Sequence, residues 1–64
     1  MTKEEKLNWI TSIESCANYI AEEMGYEVVR SVLEYHGAKS IEDLSPSQYS
    51  EVFSELYAIE ADIR

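Results

Sequence analysis

The clearest helix pattern in the chain lies at residues 45–63, which read SPSQYSEVFSELYAIEADI. Ser45 suits the N-cap, Pro46 the first helical position, and Gln48 the third position of a capping box. Apolar residues then recur every three or four positions, which predicts an amphipathic helix over residues 46–63. The predicted inward-facing residues are Tyr49, Val52, Phe53, Leu56, Ile59 and Ile63.

The N-terminal part of the chain shows a second helix pattern, over residues 3–24. Thr2 and Glu5 have the spacing of a capping box, and early carboxylates suit the positive end of the helix dipole. When each residue is turned by about 100°, the apolar residues fall on one face, which predicts that this face is buried. They are Trp9, Ile10, Ile13, Cys16, Ala17, Ile20, Ala21 and Met24.

The segment at residues 26–36 is rich in valine but does not alternate with period two, so helix is favoured over strand. Its apolar half consists of Val28, Val29, Val32, Leu33 and Tyr35. That half is rotated by roughly 120° from the apolar face of the first helix, so one straight helix cannot bury both. We therefore predict a break at Gly25, in the left-handed conformation that follows a helix, and a similar stop at Gly37.

The connection to the last helix contains a further short element. Ser40 is expected to cap a helical turn over residues 41–44, whose Ile41 and Leu44 cover the end of the core. Taken together, the pattern predicts an all-α fold. It is a small antiparallel three-helix bundle with a short extra helical turn before the last helix, in a single helical domain over residues 1–64.

Charge and composition limit the possible partners. The chain has 64 residues, and thirteen acidic against five basic side chains give a net charge of -8. This charge argues against duplex DNA, RNA or an anionic membrane surface as a direct partner. No apolar run approaches the ~20 residues of a membrane span, and the N-terminus lacks a secretory pattern. A single cysteine cannot close an intrachain disulfide, so a reducing, cytoplasmic setting is expected.

Cys16 and His36 are the only thiol and the only imidazole. Their spacing matches neither a zinc motif nor an oriented nucleophile and base. Cys16 lies within the apolar face, where free cysteine acts as a small buried hydrophobe. His36 lies at the end of the second helix, where its ring is expected to cap terminal carbonyls. The sequence therefore predicts no catalytic site, no metal and no cofactor.

An acidic stripe is predicted on the last helix, where Glu51, Glu55 and Asp62 fall within about 40° of one another. The simpler interpretation is a solvated helix face. The alternative is a contact surface for a basic protein, because no lysine or arginine lies between Lys39 and Arg64 to neutralise these carboxylates.

Three side chains lie at unusual positions on the predicted helices. Leu7 and Tyr19 flank the apolar face of the first helix, where they extend the core or form part of a dimer contact. Glu60 points into the apolar face of the last helix. Three explanations of this position are open: fraying at the helix end, a bond to Lys6 or Arg30, or contact with a second subunit. Most of the five tyrosines are expected at core edges, with their hydroxyls toward solvent.

A family resemblance comes from three stretches: residues 21–29 (AEEMGYEVV), 35–40 (YHGAKS) and 49–56 (YSEVFSEL). With these stretches the chain resembles the short acidic uncharacterised proteins carried by conjugative transposons of Gram-positive bacteria, over roughly residues 15–64. The resemblance implies an accessory protein of a mobile element in a bacterial cytoplasm. Such elements often carry acidic helical inhibitors that imitate the charge of DNA.

Two functional hypotheses follow. The first is a non-enzymatic protein-binding module, with a basic protein partner or a second copy of itself, whose candidate contact residues are Glu51, Glu55, Asp62, Tyr19 and Leu7. The second is a DNA-mimic inhibitor of a restriction enzyme or another nucleic-acid enzyme. Mimicry requires carboxylates that are spaced like phosphates along one continuous side of the protein. Two glutamates one helical turn apart, such as Glu51 and Glu55, are separated by about 6 Å along the helix axis.

Overall fold

Three α-helices and two 3₁₀ turns make up the regular structure, and a computed structural model describes all 64 residues. Helix α1 spans Lys3–Met24, α2 spans Tyr26–Tyr35 and α3 spans Tyr49–Ile63. The 3₁₀ turns span Ile41–Asp43 and Pro46–Gln48, and there is no strand. The predicted all-α helical bundle is confirmed.

Helix α1 begins with the predicted capping box. The Glu5 backbone N–H donates to Thr2 Oγ1 over 3.1 Å, and the Thr2 backbone N–H donates to Glu5 Oε1 over 3.2 Å. Hydrogen bonding to the carboxylate by the Thr2 backbone N–H, and by the Thr2 hydroxyl to a smaller extent, favours the ionised form and holds the pKa of Glu5 below its usual range. Two backbone donors that a helix start leaves free are satisfied in this way.

The chain changes direction at Gly25, which separates α1 from α2. The predicted break is confirmed, and Gly25 has a positive φ of 91°. The predicted left-handed helical conformation is wrong, because ψ is 154°. This region of backbone space is open essentially only to glycine, and it redirects the chain within a single residue.

Helix α2 ends in a Schellman motif around Gly37, whose φ is 75°. The Ala38 N–H donates to the Leu33 carbonyl and the Gly37 N–H donates to the Glu34 carbonyl, both over 2.9 Å. Leu33 and Ala38 are both buried, in agreement with the apolar pairing typical of this motif. The predicted stop is confirmed, although α2 ends at Tyr35, one residue earlier than expected.

The connection after α2 covers the end of the core, because Ile41 and Leu44 are both buried as predicted. Ser40 does not cap the 3₁₀ turn with its side chain. The Asp43 carboxylate instead reaches back across the turn and accepts a hydrogen bond from the Lys39 backbone N–H over 3.0 Å.

The entry to α3 contains the second predicted capping box, in which the Ser45 N–H donates to Gln48 Oε1 over 3.0 Å. The first turn is 3₁₀ rather than α-helical, because the Gln48 N–H bonds to the Ser45 carbonyl three residues back, over 2.8 Å. Gln48 Nε2 also donates to the His36 carbonyl over 2.9 Å. The start of α3 is thereby joined to the end of α2.

Helices α1 and α3 run in the same direction. Trp9 faces Phe53 and Tyr19 faces Arg64, so the partner on α3 lies 44 or 45 positions further along the chain. The chain therefore returns between them along α2. The side chains in the core of these helices are Ile13, Cys16, Ala17, Ile20, Val29, Leu33, Tyr49, Val52 and Leu56.

Three apolar residues lie further out than the helical pattern predicts. Met24 is half exposed, because the chain leaves α1 at the next residue and nothing covers the end of the helix. Tyr35 is 82% exposed and packs edge-on against His36, with ring centroids 5.3 Å apart. Leu7 is half exposed, so it does not extend the core. Of the five tyrosines only Tyr49 is fully buried.

Candidate functional site

A groove between α1 and α3 is bordered by three aromatic side chains. Trp9 meets Phe53 edge to face, with ring centroids 6.0 Å apart. Tyr57 lies one helical turn further and stacks on Phe53, with centroids 5.9 Å apart and planes at 21°. Cys16 and Glu60 line the same groove. Cys16, Phe53, Tyr57, Glu60 and Arg64 define what we call the aromatic groove, an open hollow of about 390 Å³, and Trp9 lies beside it against Phe53.

Helical spacing on α3 explains one wall of the aromatic groove. Phe53, Tyr57, Glu60 and Arg64 follow one another at intervals of four, three and four residues, so they share one side of the helix. The parallel alignment of α1 and α3 then places Glu60 opposite Cys16, because their separation matches that of Trp9 and Phe53. The wall can be read from sequence, whereas the opposing residue depends on the helix register.

The floor of the aromatic groove contains a buried charge. Glu60 is 8% exposed and is the only charged residue in the buried set. Burial raises the pKa of the Cys16 thiol, and the negative charge of Glu60 raises it further, while Arg64 acts in the opposite sense. The thiol is therefore protonated at neutral pH, and it lacks the low pKa of a catalytic cysteine.

Arg64 closes one end of the aromatic groove. Its Nη2 lies 3.0 Å from Glu60 Oε2, and its Cζ lies 5.2 Å from the centroid of the Tyr19 ring. The guanidinium thus contacts a carboxylate and an aromatic face at once, as cation–π geometry allows. Glu60 is neither frayed nor bonded to Lys6 or Arg30, because one turn of helix brings Arg64 to it first.

A second charged cluster lies on the other edge of α3, around His36. His36 Nε2 donates to Glu55 Oε2, and His36 Nδ1 lies 3.9 Å from Glu51 Oε2. The imidazole is 9% exposed. The ring therefore does not cap the carbonyls of α2, as the sequence indicated, because two carboxylates of α3 are within reach.

The predicted acidic stripe of Glu51, Glu55 and Asp62 is only partly free of partners. The expectation that these carboxylates lack partners within the chain is wrong for Glu51 and Glu55, because it counted lysine and arginine but not His36. Asp62 makes no ion pair and is exposed. The side chains of Glu51 and Glu55 still face solvent in part, so the stripe remains a predicted contact surface.

The five predicted contact residues do not form one surface. The stripe lies on the edge of α3 next to His36, whereas Tyr19 lies at the opposite edge beneath Arg64. Glu55 and Tyr57 are about 160° apart around α3 at about 100° per residue. Leu7 is half exposed on α1.

The side chains that could bind a metal or act as nucleophile and base lie apart from one another. No three His, Cys, Asp or Glu side chains are placed so that they could hold a metal ion. Cys16 borders Glu60 and His36 borders Glu55, so the only thiol and the only imidazole lie at different edges of α3 and make no bond to each other. None of the helices is long and apolar enough to cross a membrane.

The sequence did not identify the aromatic groove as a site. Its local parts are readable, since Phe53 with Tyr57 and Glu60 with Arg64 are pairs four residues apart. The contact of Trp9 with Phe53 is not readable from the sequence. The helical pattern predicts only that the Trp9 ring faces inward and not which ring of α3 it meets.

Comparisons with known proteins leave the function to be argued from these residues. The chain matches no protein-family model, no curated protein and no solved structure. By its fold and surface it is a small acidic all-α bundle with two charged edges on its last helix.

Proposed function

We propose that the chain is a non-enzymatic protein-binding module whose partner presents a basic surface. The supporting observation is its unneutralised acidic surface. Of thirteen acidic side chains, nine take part in no ion pair; the exceptions are Glu27, Glu51, Glu55 and Glu60. Unpaired surface carboxylates attract and orient a basic partner and accelerate its association.

A basic protein suits this surface better than a second copy of the chain. Two copies would bring two charges of -8 together, and like charges facing each other across an interface oppose association. Leu7 and Tyr57 are exposed and offer apolar area to either partner. The charge therefore decides in favour of a basic protein.

Imitation of DNA is supported less well. It requires carboxylates that follow one continuous side of the molecule at phosphate spacing. On α3 only Glu51, Glu55 and Asp62 share an edge, and the first two face His36. The remaining acidic residues are distributed over α1, α2 and the connection before α3.

The cellular setting that we propose rests on the family resemblance alone. It is that of an accessory or regulatory protein of a mobile element, acting in a bacterial cytoplasm. A basic protein encoded by the same element or by its host would then be the partner.

The proposal is tested by the salt dependence of binding. The full chain is immobilised, retained proteins are eluted with a salt gradient and identified, and each purified partner is titrated at about 50 and 300 mM salt, where the Debye length falls from about 14 to 6 Å. We expect affinity to fall by about tenfold over this range, mainly through the association rate.

Two matched substitutions locate the electrostatic contact. Asp62→Asn removes a charge from the stripe without breaking an ion pair, and Glu34→Gln removes one from α2, where it is also unpaired and exposed. If Asp62→Asn binds the partner more weakly than wild type and Glu34→Gln does not, the contact lies at the acidic stripe. An affinity that does not change with salt overturns the proposed function, and a partner that is itself acidic does so equally.

A further inference from the structure

Arg64 shows how the aromatic groove accommodates a cation. We propose that this groove is a binding site for an arginine side chain of the partner, and that Arg64 occupies it in the free protein. The inference rests on the proposed function, since it names the group through which a basic partner is anchored. It concerns the edge of α3 opposite the acidic stripe.

The buried carboxylate is the first reason. A carboxylate removed from water is costly unless a cation or hydrogen-bond donors compensate it. Glu60 is almost fully buried, and its ion-pair partner is Arg64. Glu60 and Arg64 are also the only charged side chains among the residues that line the groove. If Arg64 moves away, the groove presents a negative charge that requires a cation.

The aromatic walls are the second reason. A guanidinium is planar, so it stacks flat on an aromatic face while its in-plane N–H groups bond to a carboxylate, whereas an ammonium group is a compact point charge without such a plane. Arg64 makes this pair of contacts with Tyr19 and Glu60. Phe53 and Tyr57 offer two further rings on the other side of Glu60. The combination favours arginine over lysine.

The position of Arg64 makes it replaceable. It follows the last residue of α3, and its side chain is 65% exposed. Displacing the side chain leaves the α3 backbone hydrogen bonds intact. Because the guanidinium of this ion pair faces solvent, the pair is weak, and competition by Arg64 lowers the apparent affinity for an external arginine by about threefold.

The experiment titrates the full chain with a defined probe, the acetylated tripeptide amide Leu-Arg-Leu. The control probe replaces arginine with citrulline, which has nearly the same shape but no charge. Trp9 is the only tryptophan and lies against Phe53, so its fluorescence reports on the groove. Backbone amide shifts of Ser12, Cys16 and Tyr57 locate the binding site.

Three variants complete the design. Arg64→Gln removes the internal competitor and is expected to bind the arginine peptide about threefold more tightly. Glu60→Gln is expected to bind it at least about fivefold more weakly. Glu34→Gln removes the same charge from α2, outside the groove, and is expected to stay within about twofold of wild type. Circular dichroism confirms that each variant is folded.

Each outcome decides the proposal. An arginine peptide that binds no more tightly than its citrulline twin overturns it, and so does a Glu34→Gln variant that loses as much affinity as Glu60→Gln. If Arg64→Gln binds the arginine peptide no more tightly than wild type does, the proposal that Arg64 occupies the groove in the free protein is wrong. This test does not depend on whether Glu60→Gln folds. A purified partner could bind in a salt-dependent manner with the same affinity for wild type and for Glu60→Gln. In that case the proposed arginine site is wrong, and the proposed function as a protein-binding module stands.

Discussion

Glutamate side chains at the two edges of α3 are paired with basic side chains in different ways. On one edge, Glu55 and Glu51 face His36 from the end of α2. On the other, Glu60 pairs with Arg64 of the same helix. The imidazole is almost fully buried, whereas most of the Arg64 side chain faces solvent. The first contact joins two elements of the fold, and the second joins two neighbours on one helix.

This difference separates structural from exchangeable charge pairs. The His36 backbone also accepts a hydrogen bond from Gln48, so ring and main chain both hold α2 against the entry to α3. Arg64 is held by Glu60 and by the face of the Tyr19 ring, and its side chain stays largely exposed. A contact that fixes the fold is poorly suited to exchange with a partner, whereas a contact at the end of a helix can be exchanged without unfolding the bundle.

The largest expected effect is therefore on stability at the His36 edge. His36→Ala should lower the free energy of unfolding by about 2 kcal/mol, because it leaves a cavity and two carboxylates without their partner. Arg64→Gln should lower it by less than about 1 kcal/mol, since the Arg64 side chain is mostly exposed and the groove is open to water. Urea denaturation at neutral pH measures both, and equal losses would remove the distinction between the two edges.

The core between the two edges contains one unsatisfied group. The Tyr49 hydroxyl is buried and has no hydrogen-bond partner. Tyr49→Phe should therefore raise the free energy of unfolding by about 1 kcal/mol, because the desolvated hydroxyl is removed and the ring is kept. Tyr57→Phe is the control, since its ring is half exposed and its change should stay within about 0.5 kcal/mol. A loss of stability in Tyr49→Phe would contradict this account.

The fold was predictable where the determining interactions are local. Both capping boxes, Thr2 with Glu5 and Ser45 with Gln48, lie within three residues, and the helical period fixed which faces are apolar. The ψ angle of Gly25 was not predictable, because it depends on where α2 must pack. The exposure of Tyr35 has the same origin, since α2 ends before anything covers the ring.

The charged edges were predictable only in part. The spacing of Glu51 and Glu55 places them on one side of a helix, but His36 lies 19 residues before Glu55 and reaches it only through the fold. The aromatic groove likewise needs the register of two parallel helices. Sequence periodicity assigns residues to faces, and the contact between two faces is decided by tertiary packing.

Cys16 provides a chemical probe of the groove edge. Because the charge of Glu60 raises the pKa of the thiol and that of Arg64 lowers it, Glu60→Gln should alkylate faster than wild type and Arg64→Gln more slowly. Iodoacetamide rates measured across the alkaline range test this order. When the variants are unfolded in denaturant, their Cys16 thiols should be alkylated at the same rate. Differences in the folded proteins then come from the folded-state pKa and not from the intrinsic reactivity of the thiol. A reversed order would show that Glu60 does not act on the thiol.

The smallest expected effect concerns a fourth glutamate, Glu5, whose partner is Thr2 rather than a cation. Its lowered pKa means that the carboxylate stabilises the start of α1 at pH values above its unfolded-state pKa of about 4.5. This contribution is lost as the pH falls through the folded-state value. Glu5→Gln preserves the capping box but cannot titrate. Wild type should therefore lose slightly more stability than Glu5→Gln between pH 7 and pH 3, as urea denaturation can measure, and a larger loss in Glu5→Gln would contradict the assignment.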